Sequence, residues 1–298
     1  MIEFVEVGPR DGLQNEQQFV ATADKLRLIE QALHYGVRRI EVASFVNPGK
    51  VPQMADAEAV CAGLPESSAT FIALVLNARG AERALACGRI DQLGAVAVAT
   101  DAFAMANQGQ TSAGSVAAVG EIAGLARSAG KTVQATIAAA FGCPFSGEVD
   151  PAHVIAMAHE LAALGLKEVA LADTIGVADP ARVSRLVTAV QAAIWPLPVR
   201  VHFHNTRGTG LANVWAAIGA GASVVDGSLG GLGGCPFAPG AAGNVASEDV
   251  AFMLDRAGIE TGLDLPAMIA ANHWLAGVMG RKLPGMAAQA PPFPKSAQ

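Results

Sequence analysis

Two histidines one residue apart, His202 and His204, stand at the end of the valine-rich run VRVHFHN. On an extended strand, residues two apart project to the same face, about 6.6 Å apart along the chain, so two imidazoles there can share one metal ion. The same pair also suits hydrogen-bonded residues at a strand end. Other polar residues with chemical uses close comparable runs. The first run leads into Gly8-Pro9-Arg10-Asp11-Gly12, another carries Glu41 and ends near Ser44, and a third ends in Asp173-Thr174. The last is followed by the glycine-rich stretch DGSLGGLGGCPFAPGAAGN, Asp226–Asn244. Singly, Asp11 and Asn244 read as turn or cap residues, and Glu41 as the partner of a basic side chain. Asp173 lies in an otherwise apolar run, where a carboxylate is hard to bury without a partner or a task. Cys235, flanked by Gly233, Gly234 and Pro236, reads as a thiol on a mobile loop that arrives when a lid closes. Cys143 in FGCPF reads instead as packing.

Residues so far apart in sequence need a scaffold that gathers strand ends. Short β-branched runs alternate with longer Ala/Leu-rich segments of helical period. Strands are expected at 2–7, 39–43, 69–76, 95–99, 132–139, 168–172, 199–204 and 223–227. Helices are expected at 23–34, 78–87, 115–128, 151–164, 180–192, 210–219 and 247–256. Asp150 and Asp179 each precede a proline, the pattern of an N-cap followed by proline at the first helical position. Gly130 and Gly165 sit where helix-ending glycines belong. Eight strands alternating with helices predict an α/β fold, a closed (β/α)8 barrel, with an additional C-terminal helix at 265–279. In such barrels chemistry sits where strands end and the following loops begin. Residues 1–283 are expected to form one catalytic barrel. The Pro/Ala-rich tail 284–298 is expected to be ordered only against that body, or not at all.

Composition narrows the function class. Hydrophobic residues make up 52% and charged residues 15%, which excludes a disordered chain. The net charge of −6 argues against nucleic acid or an anionic membrane as partner, while leaving room for a local basic pocket. Four dispersed cysteines without a Cys-x-x-Cys pair point to a reducing compartment and no cysteine zinc site. The acidic, strand-like N-terminus does not read as a signal peptide, and no apolar run suits a membrane span. The expectation is a soluble, cytoplasmic enzyme.

The combination GPRDGLQNE, IEVASFV, FGCPF, LADTIGVA, HFH, the long glycine-rich loop and GNVASEDVAFML resembles the 3-hydroxy-3-methylglutaryl-CoA (HMG-CoA) lyase family. That family is related to the isopropylmalate synthases, which end in a shorter loop without the Cys-Pro pair. The resemblance implies a carbon–carbon lyase that splits HMG-CoA into acetyl-CoA and acetoacetate, and it covers nearly the whole chain. It implies one divalent cation, Mg²⁺ or Mn²⁺, on Asp11, His202, His204 and Asn244. Arg10 matches the arginine that holds the substrate carbonyl and stabilises the enolate. Glu41 and Asp173 match acidic residues of the catalytic pocket, and Cys235 the loop cysteine. Ser44 and Asn107 match polar contacts to the substrate. An acyl-CoA thioester is the implied substrate, and a homo-oligomer, dimer or tetramer, the implied assembly.

One departure bears on the acyl group. The family usually shows His-x-His-Asp-Thr-Tyr-Gly-Gln, whereas this chain continues from His204 with Asn205-Thr206-Arg207-Gly208-Thr209. Asp101 also stands where the family favours glutamate. Arg207 is therefore a candidate contact to a differently placed anionic group, or an outward-facing ion-pair residue. A citramalyl-CoA or longer branched analogue competes with HMG-CoA as substrate. A bond-forming synthase and a non-catalytic metal- or CoA-binding barrel complete the alternatives.

Overall fold

The computed structural model describes residues 1–234 and 243–291. Eight parallel strands close into a barrel in chain order. They are β1 (Glu3–Glu6), β2 (Arg39–Ser44), β3 (Thr70–Leu74), β4 (Gln92–Val98), β5 (Thr132–Ala138), β6 (Val169–Asp173), β7 (Val199–Phe203) and β8 (Val224–Gly227). Closure runs through β8, whose Asp226 pairs with Val5 of β1. Around them lie α1 (Thr22–His34), α2 (Ala57–Ala62), α3 (Ala78–Ala86), α4 (Asp101–Gln108) and α5 (Ser112–Ser128). The ring continues with α6 (Pro151–Ala162), α7 (Pro180–Ile194), α8 (Gly210–Gly219) and α9 (Ser247–Arg256), and α10 (Leu265–Val278) is appended. The barrel expectation and the extra helix are both met.

Local chemistry explains the element ends. Asp150 accepts a hydrogen bond from Ala152 N, and Asp179 from Ala181 N and Arg182 N, satisfying helix donors that have no partner within the helix. Gly130 and Gly165 take positive φ beyond α5 and α6. Two helices, α2 and α4, escaped the sequence reading because each is short and follows a polar turn. β4 begins at Gln92 rather than at Ala95, since Gly94 and the polar Gln92 masked its start.

The barrel wall and the helices bury one continuous apolar core, while Val5, Val7, Ile72 and Val224 form a smaller apolar plug. A charged cluster shares the buried interior. Arg39 donates to Glu168 in fork geometry (2.8 and 2.8 Å) and to Gln92 and Gln134 (3.0 Å each). Removing one partner of a buried pair typically costs about 3–5 kcal/mol, because it strands the other charge. The segment after α10 packs against the body. Gly285 N donates to Gly230 O, and Asp249 accepts from Met286 N and Ala287 N.

Candidate metal centre and active site

β1 runs directly into a π-helical turn, Gly8–Gly12, whose donors return to Val7 O. This wider turn, a form often found at functional sites, places Arg10 and Asp11 side by side at the barrel mouth. Glu6 fixes it from behind, accepting from Gly8 N (2.7 Å) and Leu229 N (2.9 Å), so the loops after β1 and β8 share one anchor. A β-carbon on Gly8 would lie 2.6 Å from that carboxylate, which requires glycine there.

The four sequence-predicted ligands lie together. Asp11, His202 and His204 each offer a ligand atom within 4.8 Å of the others, and His202 Nε2 lies 4.0 Å from Asp11 Oδ2. Asn244 pairs with His204 across a backbone bridge, and its Nδ2 donates to Asp11 Oδ2 (2.8 Å). Gly233, at φ 107°, comes so close that a β-carbon would lie 2.5 Å from Asn244 Nδ2.

The donor set fits a divalent cation. Asn244 Oδ1 and His204 Nδ1 are buried without a hydrogen-bond partner, as ligand atoms are before a cation satisfies them. Two imidazoles, a carboxylate and an amide oxygen suit Mn²⁺ or Mg²⁺ with positions left for substrate. Asp11 and His204 are held in the states that bind a metal. Burial opposes the charge of Asp11, but Arg10, His202 and His204 outweigh it and hold its carboxyl well below the usual carboxylate range. Burial and the neighbouring His202 bring His204 down to about 4, so its ring stays neutral. Burial also opposes a charged His202, yet Asp226 overcomes this and raises its pKa.

Arg10 is buried against Glu41, to which Nε (2.8 Å) and Nη2 (2.5 Å) both donate, and its Nη1 donates to Asp11. Three of its five donors are used, leaving two N–H groups for a substrate oxygen. Burial opposes ionisation of Glu41, but Arg10 and Arg200 together lower its pKa.

Ser44 reaches the mouth through a bulge. β2 slips register between Glu41 and Ala43, so Ser44 pairs with Leu74 while Glu41 pairs with Ile72, and both share the inward face. Its hydroxyl is buried and unpartnered. Asp173 closes β6 with both oxygens on backbone donors, Val177 N and Ala178 N (2.9 Å each), which shapes the following loop. Burial raises its pKa against those donors. Arg207 donates from Nη1 to Ile175 O and Gly176 O (2.9 Å each), and Asn205 accepts from Gly210 N (3.0 Å). Asn107 is exposed on α4. Cys235 lies outside the described residues. Cys143 is buried as expected, accepting from Thr100 Oγ1 (3.1 Å).

Two functional residues went unremarked in the sequence. Asp226 Oδ1 lies 2.8 Å from His202 Nδ1, the carboxylate–histidine arrangement that orients a metal-ligating ring. Arg200 lies 1% exposed beneath the site. The signal for Arg200 was its spacing: two residues before His202, it must face the same interior.

Fold and site together define a (β/α)8 barrel with a candidate metal centre at the C-terminal ends of its strands. The HMGL-like family model matches residues 1–274, and the chain belongs to that family. It is 43% identical to an (R)-citramalyl-CoA lyase of Chloroflexus aurantiacus, over 98% of this chain and 95% of that one. It is 40% identical to the hydroxymethylglutaryl-CoA lyase YngG of Bacillus subtilis, over 94% and 93%. The crystal structure of hydroxymethylglutaryl-CoA lyase from Pseudomonas aeruginosa superposes with a TM-score of 0.93 at 41% identity, covering 97% of this chain and 96% of that one. No helix among the described residues is long and apolar enough to cross a membrane.

Proposed function

We propose that this protein cleaves HMG-CoA to acetyl-CoA and acetoacetate in a reaction that depends on one divalent cation, Mg²⁺ or Mn²⁺. The carrying observation is the convergence of Asp11, His202 and His204 within 4.8 Å, beside Arg10. Asn244 completes the ligand set. When bound, the cation would chelate the substrate and acidify its 3-hydroxyl, as coordination takes water from a pKa of 15.7 to about 7.

The protein's own groups account for the rest. The hydroxyl proton passes to a base at the barrel mouth, and C3 becomes a ketone as the C2–C3 bond breaks. The bonding pair moves onto the thioester as an enolate, and one proton returned to C2 gives acetyl-CoA, so the reaction is proton-neutral overall. Arg10 offers its two remaining N–H groups to the enolate oxygen, and Glu41 holds them in place before charge develops. Asp226 fixes the His202 tautomer by accepting from Nδ1, leaving Nε2 toward Asp11. Ser44 and Asn107 are proposed substrate contacts, and Cys235 a proposed catalytic group. Asp173 serves the pocket by holding the loop after β6.

A second reading, citramalyl-CoA as substrate, is supported by the relative with that activity. Against it, Arg207 and Asn205 are engaged with backbone groups, which favours the ordinary HMG-CoA reading. Purified protein incubated with Mn²⁺ and each thioester distinguishes the two. Release of acetyl-CoA and acetoacetate from HMG-CoA supports the first; cleavage of citramalyl-CoA alone replaces it with the second.

A further inference from the structure

The geometry points to Arg200 as the positioning residue that couples the metal ligands to the enolate-stabilising arginine. This inference rests on the proposed metal site. Arg200 is buried two residues below His202 on β7 and reaches three carboxylates, two of which lead up to the site. Its Nη2 donates to Glu41 Oε1 (2.8 Å), and its Nε to Asp226 Oδ2 (2.6 Å). The second oxygen of each carboxylate is committed upward. Glu41 Oε2 takes both Arg10 donors, and Asp226 Oδ1 takes His202 Nδ1. One planar guanidinium therefore sets the spacing between two carboxylates, which in turn aim the cation for the enolate and the ring for the metal.

The chemistry requires an arginine. Two buried carboxylates facing one interior repel each other, and a cation between them keeps both ionised and in place. The guanidinium fork donates in two directions at fixed geometry, whereas a lysine ammonium is a compact point charge without that fork. Gln134 Oε1 (2.8 Å) and, more distantly, Glu168 Oε1 (3.4 Å) hold Arg200 from below. Glu168 also pairs with Arg39 but touches neither Arg10 nor His202, so it belongs to the same buried network without the upward link.

That difference supplies the test. Arg200→Lys and Glu168→Gln are compared with the parent for thermal stability, for Mn²⁺ dissociation constant in the metal-stripped protein without substrate, and for kcat and KM on HMG-CoA. Arg200→Lys is expected to weaken Mn²⁺ binding and lower kcat by about 10- to 100-fold each, the usual size of an outer-shell loss, with little change in KM. Glu168→Gln is expected to lower stability with a clearly smaller loss of Mn²⁺ affinity and kcat than Arg200→Lys. Should Arg200→Lys not fold, Arg200→Gln carries the same comparison. If the two substitutions shift Mn²⁺ affinity alike, or Arg200→Lys leaves affinity and kcat at the parental level, Arg200 is merely structural and the inference is overturned. A parent that binds no Mn²⁺ overturns the metal reading and the inference with it.

Discussion

Asp226 Oδ1 and His202 Nδ1 lie 2.8 Å apart across neighbouring strands, with the carboxylate buried beneath the ring. The contact leaves His202 one free nitrogen, and that nitrogen faces Asp11. Asp226→Asn keeps the size of the side chain but removes the charge that orients and polarises the ring. Mn²⁺ affinity is expected to fall by about 10- to 100-fold. Calorimetric titration of the metal-stripped variant checks it, and an unchanged dissociation constant would remove Asp226 from the site.

Arg10 does different work. It touches Asp11 but has no place in the ligand set, since a guanidinium cannot coordinate a cation. Arg10→Gln is expected to lower kcat by about 10²–10³, the loss of one preorganised donor to a developing oxyanion. Mn²⁺ affinity should change far less. Steady-state kinetics beside a metal titration separate the two, and a variant that retains most of its turnover contradicts the assignment.

Glu248 gives a pH prediction. It is fully buried on α9, accepts from Gly230 N (2.9 Å) and Asn272 Nδ2 (2.7 Å), and burial raises its pKa to about 7. The folded state therefore holds a proton that the unfolded state releases near 4.5. Its contribution to stability falls as pH rises from about 4.5 to 7 and is fully lost above that window, a change on the order of 3 kcal/mol. Glu248→Gln cannot titrate, so its denaturation midpoint should decline less than the parent's across that window. Parallel slopes would show that Glu248 does not titrate there.

Arg207 and Asn205 are the departures that opened the question of substrate. In the structure they fasten backbone, Arg207 the loop after β6 and Asn205 the start of α8. The double change Asn205→Asp with Arg207→Tyr is therefore expected to keep the parental ranking across a thioester panel. A specific gain on HMG-CoA relative to the other thioesters would show that these residues read the acyl group.

Much of this was legible in the sequence, for physical reasons that differ by residue. The strands were visible because buried parallel strands are continuous apolar runs, and His202-x-His204 because alternation alone puts both rings on one face. Asp11 and Asn244 became ligands only through resemblance, since an aspartate in a turn and an asparagine in a loop have commoner uses. Asp226 was read as the start of a loop although it ends β8 facing inward. Arg200 was passed over as part of a strand, although a charge at that spacing must find partners inside the barrel. The bulge that turns Ser44 inward has no sequence signature, because it arises from the register of β2 on β3. Asn107 was matched by pattern alone, and its place on α4 is exposed.

We propose that one cation on Asp11, His202, His204 and Asn244 drives cleavage of HMG-CoA. Metal-stripped protein should be titrated with Mn²⁺ while the release of acetoacetate from HMG-CoA is followed. No turnover is expected without metal, and activity should saturate at one Mn²⁺ per chain, with His204→Ala inactive at the same metal concentration. Cleavage that proceeds equally in chelator, or no cleavage at saturating Mn²⁺, would contradict it.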